Sequence, residues 1–281
     1  MSEAAGRADT ALAGVMGWPI AHSRSPRLHG HWLKRYGIDG AYVRLAVTAD
    51  RLPAALAGLR ALGFRGCNVT VPHKEAVLAG LDRLDDTARR IGAVNMIVVA
   101  DDGRLEGTNT DAYGFVENLR AGTDRWVADR PAVLLGAGGA ARAIAVALLD
   151  AGCPEVRLAN RTRARAEALA QALGAGVVTI DWADRAAASA DAGLLVNSTS
   201  LGMTGQPPLE MDLSHLPADA VVSDIVYAPL QTELLIAAAA RGLATMDGIG
   251  MLLHQARPAF RTWFGVDPVV DAELRAAVLA G

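Results

Sequence analysis

Ala132-Val133-Leu134-Leu135-Gly136-Ala137-Gly138-Gly139-Ala140-Ala141 is the stretch on which the fold turns. Four apolar residues suit a short strand buried on both faces; glycines then turn the chain, and an alanine-rich helix follows through Ala151. Glycines at a strand-to-helix junction allow a tight turn. They also let backbone N–H groups, backed by the positive helix N-terminus, approach a pyrophosphate. The third position of the G-x-G-x-x-G pattern holds Ala141, which still permits close helix packing. Such a turn can equally be structural, so its meaning depends on what surrounds it. If it binds a dinucleotide, Gly136, Ala137, Gly138, Gly139 and Ala140 are the contacts.

Downstream, strands are expected at 156–159, 177–180, 194–197 and 221–225, with helices at 163–173 and 232–241. This βαβ rhythm predicts a parallel sheet covered by helices on both faces. The first of these strands ends in Asn160-Arg161-Thr162-Arg163-Ala164-Arg165. A site for NAD usually places a carboxylate there, about 20 residues after the glycine turn, to accept from the ribose hydroxyls. Here there is none. Guanidiniums at that turn suit a 2′-phosphate, which they bind by charge-assisted and often bidentate contacts. A solvated basic helix start is the plainer alternative, but cations sit badly at a helix N-terminus. NADP(H) is therefore the expected cofactor, with Arg161 and Arg165 on its phosphate, Asn160 and Thr162 beside them, and Arg163 left open.

Upstream, strands are expected at 12–16, 41–47 and 66–71, and a hairpin at 94–99 and 105–108 around Asp102-Gly103. Helices are expected at 25–36, from Asp50 as cap through Leu52, Leu56, Leu59 and Leu62 on one face, at 75–90, and at 112–119. Polar residues 121–130 mark the domain boundary. The expected architecture is thus α/β with two domains. One comprises residues 1–120, to which helices near 250–264 and 271–280 return; the other comprises 121–249.

Several polar residues of the first domain resist a structural explanation. Ser23 and Ser25 bracket Arg24 just before a helix, where Ser25 could serve as the N-cap. In Asn68-Val69-Thr70-Val71-Pro72-His73-Lys74, alternation puts Asn68 and Thr70 on one face near Lys74, while Val69 and Val71 turn to the core. Asn95 opens an apolar strand. Thr108-Asn109-Thr110-Asp111 is a polar turn before a helix that Asp111 could cap.

A formal net charge of −3 over 281 residues gives no electrostatic case for nucleic acid or a membrane surface. No apolar run reaches the roughly 18 residues of a membrane helix. Met1–Thr10 lacks an apolar segment and is expected to be a frayed leader rather than a signal peptide. Cys67 and Cys153 are far apart and fit no metal or redox spacing. Two free thiols and no targeting segment predict a cytoplasmic protein. Cys67 is expected as a small buried hydrophobe. His29 and His31 diverge on one helix and cannot share a metal, His73 should point away from Lys74, and the tryptophans at 18, 32, 126, 182 and 263 are expected as packing residues.

Taken in order, seven motifs resemble the shikimate dehydrogenase family across almost the whole chain. They are Gly17-Trp18-Pro19-Ile20-Ala21-His22-Ser23-Arg24-Ser25-Pro26, Asn68 to Lys74, Gly92-Ala93-Val94-Asn95, Asn109-Thr110-Asp111, the glycine turn, Asn160-Arg161-Thr162, and Gly248-Ile249-Gly250-Met251-Leu252-Leu253-His254-Gln255. The resemblance implies a substrate domain and a Rossmann-type NADP domain, linked by two helices, with catalysis in the cleft between them. It further implies NADPH-dependent reduction of 3-dehydroshikimate to shikimate. By it, Lys74 and Asp111 are the catalytic pair, and Ser23, Ser25, Asn68, Thr70, Asn95, Asp111 and Gln255 hold the ring substituents. Tyr227 would stand at the cleft, Gly248 and Met251 would line the nicotinamide side, and the segment carrying Thr199 would lie beside the cofactor. No metal is required, and relatives are monomers or homodimers. A quinate/shikimate dehydrogenase of broader specificity and a non-catalytic relative sensing NADP or shikimate are the rival readings. Ser25 with the Arg161/Arg165 pair argues against the first, and intact Lys74 and Asp111 against the second.

Overall fold

The computed structural model describes residues 10–280, so all but the last residue of the leader expected at Met1–Thr10 lies outside them. The chain divides into two compact units: residues up to Thr110 together with those from Gln255 onward, and Asp111–His254. The division precedes the polar stretch at 121–130, which joins a helix to a strand inside the second unit.

The first unit contains β1 (Ala11–Gly17), α1 (Ser25–Arg35), β2 (Gly40–Ala46), α2 (Leu52–Ala61), β3 (Gly66–Val69), β4 (Arg83–Leu84), α3 (Asp86–Ile91), β5 (Met96–Val99) and β6 (Leu105–Thr108). Its sheet has the order β2-β1-β3-β5-β6-β4 and is mixed. β1 pairs parallel with β2 and β3, while β5 runs antiparallel to β3 and β6, the hairpin expected around Asp102-Gly103. One face buries Leu52, Leu56, Leu59 and Phe64 against Met16, Cys67, Val69 and Ile97. The other receives Phe260, Trp263 and Phe264 from the second half of helix α8 (Gly248–Phe264), with α9 (Ala272–Leu279) packed on α1. Gly66 makes that packing possible. A Cβ there would lie 2.0 Å from Trp263 Nε1, which donates to the Ile97 carbonyl at 3.2 Å.

Several local expectations give way. Ser25 is the first helical residue with its side chain buried, not the cap, because Arg24 already has helical dihedrals. Asp50 lies within a 3-10 turn, Ala49–Arg51, rather than capping α2, and Leu62 falls beyond the helix and is exposed. β3 ends at Val69, before Pro72, which has no N–H for a ladder; Val71 is 69% exposed, so it does not join the core. The helix expected at 75–90 breaks into a 3-10 turn (Ala76–Gly80), β4 and α3. Asp85 caps α3 by accepting from Ala88 N at 2.7 Å, and Asp82 accepts from Leu105 N at 2.7 Å, drawing the chain to the sheet edge. Of the tryptophans, Trp32 and Trp263 are buried, but Trp18 is half exposed and is no core residue.

The second unit runs α4 (Asp111–Gly122), β7 (Ala132–Leu135), α5 (Gly139–Asp150), β8 (Val156–Ala159), α6 (Arg163–Leu173), β9 (Val177–Ile180), β10 (Leu194–Asn197), β11 (Val221–Asp224), α7 (Glu233–Ala240) and β12 (Ala244–Met246), and ends in the first half of α8. All six strands are parallel in the order β12-β11-β10-β7-β8-β9. Phe115, Leu119, Ile144 and Leu148 cover one face. On the other, Leu201, Leu209, Leu213 and Leu216 of an irregular segment join Leu234 and Leu235 of α7. The βαβ alternation is therefore incomplete: 3-10 turns at Ala183–Arg185 and Ala187–Ser189 replace a helix before β10. β12, only three residues long, was not expected from its sequence.

His29 of α1 is buried and stacked on Tyr42 at 4.0 Å, among Trp32, Phe260 and Trp263. Neither ring nitrogen has a hydrogen-bond partner among the described residues, and burial pushes its pKa down to about 3. The folded chain thus holds His29 neutral where an unfolded chain takes up a proton. Its contribution to stability is complete above about pH 6.5 and declines as pH falls towards 3. His29→Phe keeps the stack and removes the unpaired nitrogens. We expect about 1 kcal/mol of stabilisation at pH 7.5, and a loss of stability between pH 7.5 and 4.5 that is smaller than in the parent by roughly 2–3 kcal/mol. Urea unfolding of both proteins at the two pH values measures this; equal acid sensitivity would refute the assignment.

Candidate functional site

In the second unit, the parallel sheet gathers the C-terminal ends of its strands along one edge. β7 is the strand from which the chain proceeds to β8 on one side and later to β10 on the other. That reversal is where ligands of doubly wound sheets bind. The glycine turn sits there. Gly136 has φ +111°, and its N–H donates to Ala159 O at 2.8 Å. A Cβ on it would meet Ser198 Oγ at 2.7 Å, so both conformation and space require glycine. Gly138 precedes α5 in extended conformation, and the N–H groups of the first turn, which begins at Gly139, have no intrahelical acceptor.

The neighbouring turn after β8 carries the arginines, all exposed. Arg163 donates from Nε to Glu167 Oε1 at 2.7 Å and also pairs with Asp181. Arg161 and Arg165 make no ion pair among the described residues. The pattern that left Arg163 open is thereby explained: its charge is already matched, while its two neighbours point a free cation each at solvent beside the glycine turn. This fits a nucleotide with an extra phosphate. Asn160 Nδ2 donates to Thr162 O at 2.8 Å, closing the turn that displays them.

On the other side of β7, Thr199 is fixed by Asn197, whose Oδ1 accepts from Thr199 N at 3.0 Å and Oγ1 at 2.7 Å. Asn197 is held in turn by Asp224, which the sequence reading passed over. This buried carboxylate accepts from Asn197 Nδ2 (3.0 Å), Val226 N (3.0 Å) and Thr232 Oγ1 (2.8 Å). Burial pushes its pKa up, opposed by those three donors. Asp224 thereby couples the Thr199 turn to the segment carrying the half-buried Tyr227. Gly248 begins α8 against the end of β11, where a Cβ would lie 2.2 Å from Ile225 O, and a Cβ at Gly250 would strike Asn118. Met251 packs in the core with Phe115 and Met246.

In the first unit a second polar cluster forms at the ends of β1, β3 and β5. Ser23, Ser25, Asn68, Asn95 and Gln255 are buried and Thr70 is half-buried. Asn95 Nδ2 donates to Thr110 Oγ1 at 3.0 Å and Gln255 Oε1 at 3.3 Å, and its Oδ1 accepts from Thr110 N at 2.8 Å. Asn68 Nδ2 donates to Asn95 O at 3.0 Å. Ser23 Oγ accepts from Ser25 N at 3.4 Å, and the Ser23 carbonyl is gripped by Arg44. Lys74 is half-buried, and its carbonyl accepts from Val94 N at 2.8 Å, next to Asn95. His73 is buried, its Nε2 at 2.7 Å from Val47 O. Asp111, buried, is the first residue of α4 and follows Thr110 directly. Thr110 and Tyr42 were not singled out in the sequence. Tyr42 could have been, from its inward position in the alternation of β2.

Cys67 is buried, and burial pushes its thiol pKa up. Among the described residues no group of three or more His, Cys, Asp or Glu could hold a metal ion, and no described helix is long and apolar enough to cross a membrane.

A doubly wound sheet with a glycine turn at its switch point and unmatched arginines beyond the next strand defines a dinucleotide-binding α/β protein. Comparison with known proteins narrows this. Residues 15–97 match the shikimate dehydrogenase substrate binding domain, 122–203 the shikimate/quinate 5-dehydrogenase family, and 248–277 the shikimate 5'-dehydrogenase C-terminal domain. The NADP(+) shikimate dehydrogenase of Paramagnetospirillum magneticum is 59% identical over 270 residues, 96% of this chain and 98% of that one. That of Rhodospirillum rubrum is 60% identical over 273 residues, 95% and 96% of the two chains. The shikimate 5-dehydrogenase of Thermus thermophilus, solved with NADP(H) and shikimate, superposes with a TM-score of 0.86 at 40% identity, covering 95% of this chain and 98% of that one. The quinate dehydrogenase of Corynebacterium glutamicum, solved with NAD, gives 0.89 at 35% identity over 97% and 100%. The chain belongs to the shikimate dehydrogenase family.

Proposed function

We propose that this chain catalyses the reversible NADPH-dependent reduction of 3-dehydroshikimate to shikimate. The observation that carries the reading is the hydrogen-bonded cluster of Asn68, Asn95, Thr110 and Gln255, four separate segments converging in one buried polar cluster. Ser23, Ser25, Asn68, Thr70, Asn95, Tyr227 and Gln255 hold the hydroxyls and carboxylate of the ring. Gly136, Ala137, Gly138, Gly139 and Ala140 receive the pyrophosphate of the cofactor; Asn160, Arg161, Thr162 and Arg165 receive its 2′-phosphate. Thr199, Gly248 and Met251 serve the nicotinamide end. NADPH, when bound, supplies the hydride. Lys74, as an ammonium, stabilises the developing alkoxide and delivers its proton, and Asp111 orients the lysine and the reacting hydroxyl. Two free, buried thiols support a reducing, cytoplasmic setting.

Initial rates with shikimate plus NADP, measured beside quinate plus NAD, test the proposal. We expect the first pair to exceed the second in kcat/KM by at least roughly 100-fold, the worth of about 3 kcal/mol of phosphate recognition. Absence of turnover with both pairs would overturn it.

A further inference from the structure

The roles assigned above leave one buried hydroxyl beneath the polar cluster unused, that of Tyr42 in β2. Its ring is clamped by the stacked His29. Its oxygen lies 2.6 Å from Asn68 Oδ1. The amide of Asn68 has only one sensible orientation, because the Asn95 carbonyl at 3.0 Å needs a donor and so fixes Nδ2 on that side. Oδ1 therefore faces the phenol, and the Tyr42 O–H must donate to it. The bond runs one way, from the Tyr42 hydroxyl to Asn68 Oδ1. It leaves one N–H of Asn68 without a partner among the described residues.

We propose that Tyr42 is a positioning residue for substrate: it locks the Asn68 amide so that an N–H rather than the carbonyl is presented to the bound ring. The inference rests on the reading of Asn68 as a substrate contact. The ring substituent opposite Asn68 is then a hydrogen-bond acceptor, a hydroxyl oxygen or a carboxylate oxygen.

The test is a double-mutant cycle in the full chain with NADP bound: Tyr42→Phe, Asn68→Ala and the pair. Tyr42→Phe keeps the stacked ring and removes only the hydroxyl. It is expected to raise the KM for shikimate about 10-fold, the worth of one buried hydrogen bond, with kcat within twofold and the KM for NADP unchanged. In the Asn68→Ala background the same change is expected to do nothing further. An equal KM increase in both backgrounds would make Tyr42 a packing residue only and overturn the proposal. So would an unchanged KM in Tyr42→Phe, which leaves the reading of Asn68 standing if Asn68→Ala still weakens shikimate. An unchanged KM in Asn68→Ala overturns both. Should Tyr42→Phe fail to fold, Asn68→Asp decides the polarity. With acceptors alone facing the ring, it is expected to bind shikimate more weakly than Asn68→Ala, and a KM equal to or below that of Asn68→Ala overturns the inference.

Discussion

Lys74→Ala is expected to lower kcat for shikimate oxidation by roughly 10³-fold while changing the KM for shikimate only a few-fold. The split follows from where the residue sits. Its backbone is tied to the segment leading into β5 through the Val94 N–H, and the preceding His73 is anchored on Val47 O, so truncation leaves the scaffold in place. The buried amides and hydroxyls proposed to hold the ring are untouched, which preserves ground-state affinity. In the proposed role of Lys74, what disappears is the cation opposite the alkoxide and the proton it exchanges, both needed chiefly in the transition state. Lys74→Arg separates the two contributions. A guanidinium keeps the charge but does not give up its proton in the accessible pH range, so binding should survive without recovery of kcat. Steady-state kinetics of both variants decide the matter. A Lys74→Ala enzyme with near-normal kcat would remove the lysine from the chemistry.

The contrast between the two units explains how much of this was legible in the sequence. In the second unit the central strands β7, β10 and β11 are buried on both faces, so each appears as a short apolar run with turn residues at its ends. β7, β8, β9 and β10 match their expected limits, and Arg161 and Arg165 stood out because cations are misplaced at a helix start. The exceptions are instructive. β12 is three residues long and too short for any periodicity, and the leucines 201, 209, 213 and 216 cover a sheet face without helical spacing, so only tertiary packing reveals their role. In the first unit the elements are set by side-chain hydrogen bonds between distant segments. The helix expected at 75–90 fails because Asp82 is drawn to Leu105 and Asp85 caps a later start, contacts that local propensity does not encode. The same holds for the site. Asn68 and Asn95 were visible as polar residues in apolar strands, but Tyr42 passed as an ordinary strand aromatic and Asp224 as a strand end. Their partners lie 26 and 27 residues away in sequence.

Arg161→Ala combined with Arg165→Ala is expected to raise the KM for NADP by roughly 10²–10³-fold while leaving that for NAD within about threefold. Each charge-assisted contact to phosphate is worth about 2 kcal/mol, somewhat less at an exposed site, and only NADP carries the group they are proposed to bind. Arg163→Ala is the internal control. That residue is already paired with Glu167 and Asp181, so its removal should cost a few tenths of a kcal/mol of helix stability and little affinity. Ionic strength supplies a further readout: salt should weaken NADP binding in the parent and much less in the double variant. Thermal stability should move the other way. Two unmatched cations at the N-terminus of α6 oppose the helix dipole, so the double variant should be no less stable than the parent, and by a few tenths of a kcal/mol more so. Affinity lost together with stability kept distinguishes residues retained for a ligand from residues retained for the fold. A parallel rise in the KM for NAD would mean that the turn itself had collapsed, and an unchanged KM for NADP would move the phosphate elsewhere.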